Sequence, residues 1–377
     1  MIYLDNAATS FPKPQRVYRS LMRDAQYLGG NPSRSGHILS ARSSDAVYEC
    51  REAVADLFGA RSENVVFTMN ATYALNMAIK GVARQGDHFL ISDMEHNAVL
   101  RPVIELCESK GCSYTVIPTH EKSKEEILSS IYESIRPSTR AVVMAHVSNL
   151  CAGAIPVREI GDFCKRRNIV FILDASQSAG HMPVSLSDGV SFLCAPAHKG
   201  LFGIMGLGVL VSDGAHELST LIEGGSGYFS ADPHMPKDLP EHLEAGTLPV
   251  LAISALCAGL SFLSEVGLSE IAKKEHLLSS RLIEQLSHEK GVHIYSQESG
   301  SCVLFNVDGI PSGRVGEMLS DESICVRCGF HCAPLAHKTL DTGDFGAVRA
   351  SFSFFNTSSD IDRLAYAVRN ICRQWRI

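Results

Sequence analysis

Apolar residues in this chain gather into short runs, separated by longer stretches in which apolar and polar positions mix at helical spacing. The runs are Asn64-Val65-Val66-Phe67-Thr68, His88-Phe89-Leu90-Ile91-Ser92, Ser113-Tyr114-Thr115-Val116-Ile117, Ala141-Val142-Val143-Met144-Ala145, Ile169-Val170-Phe171-Ile172-Leu173-Asp174, Ser191-Phe192-Leu193-Cys194 and Gly208-Val209-Leu210-Val211. Such runs predict strands covered on both faces. Their alternation with helical stretches predicts right-handed crossovers, and so an α/β fold whose mostly parallel sheet carries helices on both faces. Residues 40–58 and 73–82 read as helices. A long helix is predicted over 250–266, bridging to a smaller α+β domain with strands near 301–307 and 347–355. Residues 1–40 read as loop-rich, because Gly29-Gly30-Asn31-Pro32-Ser33-Arg34-Ser35-Gly36-His37 and Tyr3-Leu4-Asp5-Asn6-Ala7-Ala8-Thr9 are dense in turn formers. Residues 214–250, rich in Gly and Pro, read as irregular.

Composition narrows the function. At 377 residues the chain exceeds what one core normally supports, so two domains are expected. A net charge of -7 with no basic block argues against nucleic acid and against an anionic membrane surface. No apolar run approaches the roughly 20 residues of a membrane span. Met1-Ile2-Tyr3-Leu4-Asp5 is too polar to open a signal peptide. The 12 cysteines are scattered through predicted elements, which suggests reduced thiols in a cytoplasm instead of a disulfide framework.

The chemistry centres on Ala195-Pro196-Ala197-His198-Lys199-Gly200, where an apolar run meets a His-Lys pair. A lysine amine holds a carbonyl cofactor only when partly deprotonated, which desolvation favours. Asp174 ends a buried strand, at the carboxyl rim where open α/β sheets bind ligands. Pyridoxal phosphate needs such a pair, a lysine for its aldehyde and an acid for its ring nitrogen. Thr68-Met69-Asn70-Ala71-Thr72 opens the helix 73–82, either as a phosphate site or as a plain N-cap. His96 follows a strand and has the pKa to pass protons, or is a solvated loop histidine. Asn149 follows another strand, as an amide for substrate or a turn residue, and Gln177 lies three residues after Asp174.

Cys325-Val326-Arg327-Cys328-Gly329-Phe330-His331-Cys332 invites a metal reading, but it offers only one tight cysteine knuckle. The alternative is a reactive thiol at Cys332, with Arg327 and His331 favouring the thiolate. Arg349, in an otherwise apolar strand, needs an anion: a substrate carboxylate or a structural partner.

Together these residues resemble the class V aminotransferase family of fold-type I pyridoxal-phosphate enzymes, with the closest likeness to cysteine desulfurases and selenocysteine lyases. The likeness runs from Tyr3-Leu4-Asp5-Asn6-Ala7-Ala8 to Phe355-Asn356-Thr357. It implies a large cofactor domain over 13–250 and a small domain made of 1–12 and 251–377. It implies that Lys199 links pyridoxal 5'-phosphate, that Asp174 pairs with the ring nitrogen, that Gln177 bonds the ring hydroxyl and that His96 stacks on the ring. Ala71, Thr72 and His198 would hold the phosphate. Thr247 would reach the neighbouring subunit's phosphate in a homodimer. Asn149 and Arg349 would hold L-cysteine or L-selenocysteine, and Cys332 would accept the sulfur for a possible acceptor protein. Asn70 stands where the family often has Gly, Pro196 where many members have Ser, and Cys328 where a thiol is unusual, which makes Cys328 a candidate resolving thiol. The competing expectations are a protein that binds the cofactor without turnover, and a metal-binding module.

Overall fold

The computed structural model describes residues 1–32, 36–151, 153–296 and 300–375. Positions 33–35 of the turn-rich stretch 29–37 therefore lie outside the described residues. In chain order the elements are β1 (Ile2–Tyr3), α1 (Gln15–Tyr27), α2 (Ile38–Phe58), β2 (Val65–Thr68), α3 (Ala71–Val82), β3 (His88–Ser92), α4 (Asn97–Lys110), β4 (Ser113–Ile117), α5 (Lys124–Ser134), β5 (Thr139–Ala145), α6 (Val157–Arg167), β6 (Val170–Asp174), β7 (Phe192–Pro196) and β8 (Gly208–Ser212). There follow α7 (Val250–Val266), α8 (Leu268–Ser287), β9 (Val292–Ile294), β10 (Cys302–Val307), α9 (Ser312–Asp321), β11 (Ile324–Cys325), β12 (Arg327–Gly329), α10 (Pro334–Thr339), β13 (Ala347–Ser351) and α11 (Ser358–Trp375).

Seven strands form one sheet in the order β2-β8-β7-β6-β5-β3-β4. Its strands are parallel except β8, which runs antiparallel to both neighbours because β7 and β8 are joined by a short hairpin. Strands β2, β3, β6, β7 and β8 are buried along their whole length, as continuous apolar runs require. At the edge, β4 alternates in burial instead. Two apolar clusters cover the sheet, one around Phe67, Phe171 and Leu193, the other around Phe89, Ile172 and Phe192.

A second sheet, β12-β13-β10-β9, is antiparallel and packs with α8, α9 and α11 around Phe305, Val348 and Leu364. The chain begins here: β1 pairs with β11, and Asn6 bonds both the Ser351 carbonyl (3.0 Å) and the Asn356 side chain (3.1 Å). Helix α7 contributes Ile253, Leu256 and Leu260 to the first sheet's core.

The N-terminal forty residues are not all loop. Helix α1 forms there with few apolar positions of its own, which is why turn formers dominated its reading. It is fixed from outside, by Ser254 of α7, which bonds both the Ser20 hydroxyl (2.7 Å) and the Asp24 carboxylate. Among the described residues no single helix is long and apolar enough to cross a membrane. The consecutive pair α7 and α8 has the composition but bends by 83°.

Candidate active site

Lys199 sits on the β7–β8 hairpin, at the carboxyl rim of the main sheet. Phe202 N–H donates to the Lys199 carbonyl (3.0 Å) and Gly203 N–H to Ala197 (2.8 Å), closing a tight turn around the lysine. The N-terminal segment clamps the same backbone. Ser10 Oγ donates to the Lys199 carbonyl (2.8 Å), and Ser10 N–H (3.0 Å), Thr9 Oγ1 (3.1 Å) and Lys13 Nζ (2.7 Å) all donate to the His198 carbonyl. Burial lowers the Lys13 ammonium to about 7. Lys199 is lowered to about 8, first by burial, with Arg349 and Arg327 adding to it and Asp174 opposing. The reactive state of the amine is thus set by its surroundings.

One cavity is lined by Ala71, Thr72, His96, Asn149, Asp174, Gln177, Pro196, His198 and Lys199. Helix α3 enters it end-on. Asn70 caps the helix by accepting from Tyr73 N–H (3.0 Å), and its φ of -176° is extended backbone, so no glycine is needed there. The N–H groups of Ala71 and Thr72 have no partner among the described residues and form the positive terminus. This close approach depends on Gly208 in β8, where a Cβ would lie 2.4 Å from the Asn70 carbonyl carbon. Gly208→Ala is expected to cost about 1–3 kcal/mol as an overpacked site, read as a lower midpoint in urea, and to weaken cofactor retention by pushing α3 off the sheet.

Asp174 ends β6 almost fully buried and accepts from Ser176 N–H (2.9 Å). Gln177 donates to the Ala7 carbonyl (3.1 Å). His96 caps α4: its Nδ1 accepts from Ala98 N–H (3.0 Å), so the neutral ring carries its proton on Nε2. Burial is the main cause that lowers the His96 pKa, and it lowers His198 to about 4. Glu95 was not singled out by its sequence position. It is fully buried, accepts from Ala145 N–H (2.9 Å) and Ser92 N–H (3.3 Å), and ties the ends of β3 and β5 beneath His96. Burial raises it to about 8.

Arg349 is buried in β13. It donates to Asp5 (2.8 Å) and to the Asn149 carbonyl (3.0 Å). Asn149 in turn donates to the His331 carbonyl (2.9 Å). Arg327 lies directly across the strand pair from Arg349. Two like charges in that register repel unless an anion sits between them.

Cys332 is exposed, and its carbonyl accepts from Asn97 N–H (2.7 Å) at the start of α4. A second cavity places it beside Thr72, His96 and Arg101. The expected help from a charged His331 is not found: burial lowers that ring to about 3, so it is neutral. Cys328 is turned against Gly316 of α9 and raised to about 11 by burial, which makes it a poor resolving thiol. Thr247 is exposed and lies outside the Lys199 cavity of its own chain, 3.4 Å from Asn31. Among the described residues no three His, Cys, Asp or Glu side chains group as metal ligands.

A mostly parallel sheet with a low-pKa lysine, a carboxylate and a helix N-terminus at one rim defines a fold-type I enzyme working with a carbonyl cofactor. The description "Aminotransferase class-V" matches residues 2–364. A probable cysteine desulfurase of Halalkalibacterium halodurans is 31% identical, over 97% of this chain and 91% of that protein. Among solved structures, the apo cysteine desulfurase of Thermococcus onnurineus superposes with a TM-score of 0.90 at 30% identity, covering 99% of this chain and 95% of the other. The cysteine desulfurase CsdA of Escherichia coli gives 0.88 at 25%, covering 99% and 94%. The chain belongs to the class-V aminotransferase family.

Pyridoxal phosphate is the cofactor of this family. The residues present fit it. Asn149 Oδ1 and His198 Nδ1, both on side chains lining the cavity, are buried without a partner among the described residues. The α3 terminus supplies two unbonded N–H groups for an anion, and Asp174 supplies the acid. Pro196 lines the same wall and offers no hydroxyl.

Proposed function

We propose that this chain is a pyridoxal-phosphate-dependent cysteine desulfurase, converting L-cysteine to L-alanine and passing the sulfur to Cys332. The observation that carries the reading is the docking of the Cys332 loop onto the start of α4, in a cavity shared with Thr72 and His96 of the lysine's own cavity. A plain amino-group transfer needs no thiol there.

Ala71, Thr72 and His198 would hold the cofactor's phosphate, Asp174 its ring nitrogen, Gln177 its hydroxyl and His96 its face. When bound, the cofactor supplies an aldehyde for a covalent link and a protonated ring that withdraws electrons. Arg349, Arg327 and Asn149 grip the substrate carboxylate. Lys199, held near neutrality, takes the proton from the substrate's α-carbon and returns one to the product. The Cys332 thiolate attacks the substrate sulfur: the S–S bond forms, the carbon–sulfur bond breaks, and the carbon gains a proton as alanine leaves. Cys332 is left as a persulfide for an acceptor protein or a small thiol.

Thr247, exposed and away from its own chain's cavity, supports a homodimer in which it reaches the neighbouring phosphate. Twelve cysteines without a disulfide suit a reducing cytoplasm. The test is incubation of the purified holoenzyme with L-cysteine under a reductant. Alanine and sulfide in equal amounts are expected, and cofactor binding without alanine would overturn the reading. For the carboxylate grip, Arg327→Gln should raise KM for L-cysteine about tenfold, the worth of one charge-assisted hydrogen bond. Cysteamine, which lacks the carboxylate, should not respond. An equal loss with both compounds would assign Arg327 another role.

A further inference from the structure

Cys332 is presented by an unusual backbone. His331 (φ 48°) and Cys332 (φ 57°) are consecutive non-glycine residues in the left-handed region. Such a pair is costly and persists only where the surroundings over-determine it. Two backbone anchors are already described, Asn149 on the His331 carbonyl and Asn97 on the Cys332 carbonyl.

A third anchor runs through side chains. His331, His337 and Thr342 are 4%, 3% and 5% exposed. His331 Nε2 lies 3.2 Å from the Arg327 carbonyl, His331 Nδ1 lies 3.1 Å from His337 Nε2, and His337 Nδ1 lies 2.7 Å from Thr342 Oγ1. The ring centroids are 5.3 Å apart with 8° between the planes, the edge-to-edge geometry of an in-plane hydrogen bond.

The direction of this chain follows from its end. A carbonyl oxygen can only accept, so His331 Nε2 carries the proton. A neutral imidazole has one N–H, so His331 Nδ1 is bare and His337 Nε2 must donate to it. His337 Nδ1 is then bare and accepts from the Thr342 hydroxyl. Burial keeps both rings neutral, lowering His331 to about 3, with Arg349 and Arg327 adding to it, and His337 to about 4. One proton arrangement thus satisfies every link.

We propose that Thr342 and His337 are positioning residues for Cys332, forming a fixed hydrogen-bond relay that locks the His331 ring and so holds the cysteine in its left-handed conformation. This rests on the sulfur-accepting role of Cys332. Without the relay, the His331 ring can turn, the loop relaxes to ordinary backbone angles, and the thiol leaves its line of approach to the substrate. Binding of substrate and cofactor involves neither Thr342 nor His337.

The test uses the holoenzyme with Thr342→Val, which keeps the shape and removes the hydroxyl, with Thr342→Ser, which restores it, and with His337→Leu. Thr342→Val and His337→Leu should lower kcat for alanine formation about tenfold or more, as misplacement of a reacting group does. The cofactor's visible absorbance should stay unchanged, any rise in KM should be smaller than the fall in kcat because Arg327 and Asn149 also bond His331, and Thr342→Ser should recover kcat. Side-chain 15N spectra of the unmodified enzyme should show His331 and His337 as neutral rings protonated on Nε2, with no titration between pH 5 and 8. Unchanged kcat in Thr342→Val, or an Nδ1 proton on His331, would overturn the relay. Should His337→Leu fail to fold, the Thr342 pair decides. Cys332→Ala is assayed alongside: full alanine formation in that variant would remove the desulfurase reading itself, whereas its inactivity beside an active Thr342→Val would remove the relay alone.

Discussion

Cys332→Ala is expected to abolish alanine formation from L-cysteine while the protein still takes up pyridoxal phosphate. The loss should be about 10³-fold or more, the scale seen when a nucleophile is removed. The two halves of this result come from the two cavities. Cys332 is exposed and lines only the outer one, and its thiol is not among the groups placed to hold the cofactor, so uptake and absorbance should survive. Its carbonyl bond to Asn97 belongs to the backbone and survives too. The decisive measurement pairs alanine release with the absorbance spectrum of the same sample. Retained turnover would assign the thiol no part in the reaction.

Lys199→Ala should have the complementary effect, with both the visible absorbance of the lysine-linked cofactor and turnover lost, the latter again by about 10³-fold or more. The folded lysine is lowered to about 8, where the ordinary value is 10.5. Only the neutral amine reacts, and its fraction grows as pH rises through the folded value. The rate at which cofactor-free protein captures pyridoxal phosphate should therefore climb with a midpoint near pH 8, not above pH 10. A midpoint near the ordinary lysine value would mean that burial does not set its reactivity. Lys13, also buried, bonds the His198 carbonyl and not the cavity, so Lys13→Met should leave the absorbance in place.

Much of this architecture was legible from the order of residues. A strand covered on both faces must be continuously apolar, so β2, β3, β6, β7 and β8 announced themselves. The crossover rule then placed the carboxyl ends of the parallel ones, all of these but β8, on one rim. The positions of Lys199, Asp174, His96 and Thr72 were legible for the same reason, because each ends a strand or lies within a few residues of its carboxyl end, and local chain order puts it at that rim. The helix 250–266 was legible because it is apolar nearly all round. Helix α1 was not, since its bonds go to Ser254, far along the chain.

The parts that stayed hidden are set by pairings between distant segments. Lys13 reaches the His198 carbonyl across 185 positions, and Asn149 reaches His331 across 182. Arg327 faces Arg349 only through the register of β12 on β13. His337 and Thr342 lie close to Cys332 in sequence, yet their alignment depends on the turn of α10 and on a buried carbonyl at Arg327. Hydrophobic periodicity and strand order follow from nearest neighbours along the chain, and they gave the sheet, its rim and a lysine at that rim. Register, burial of charge and the direction of hydrogen bonds are properties of packed surfaces. They alone lowered the amine of Lys199, paired the two arginines and fixed the backbone that presents Cys332.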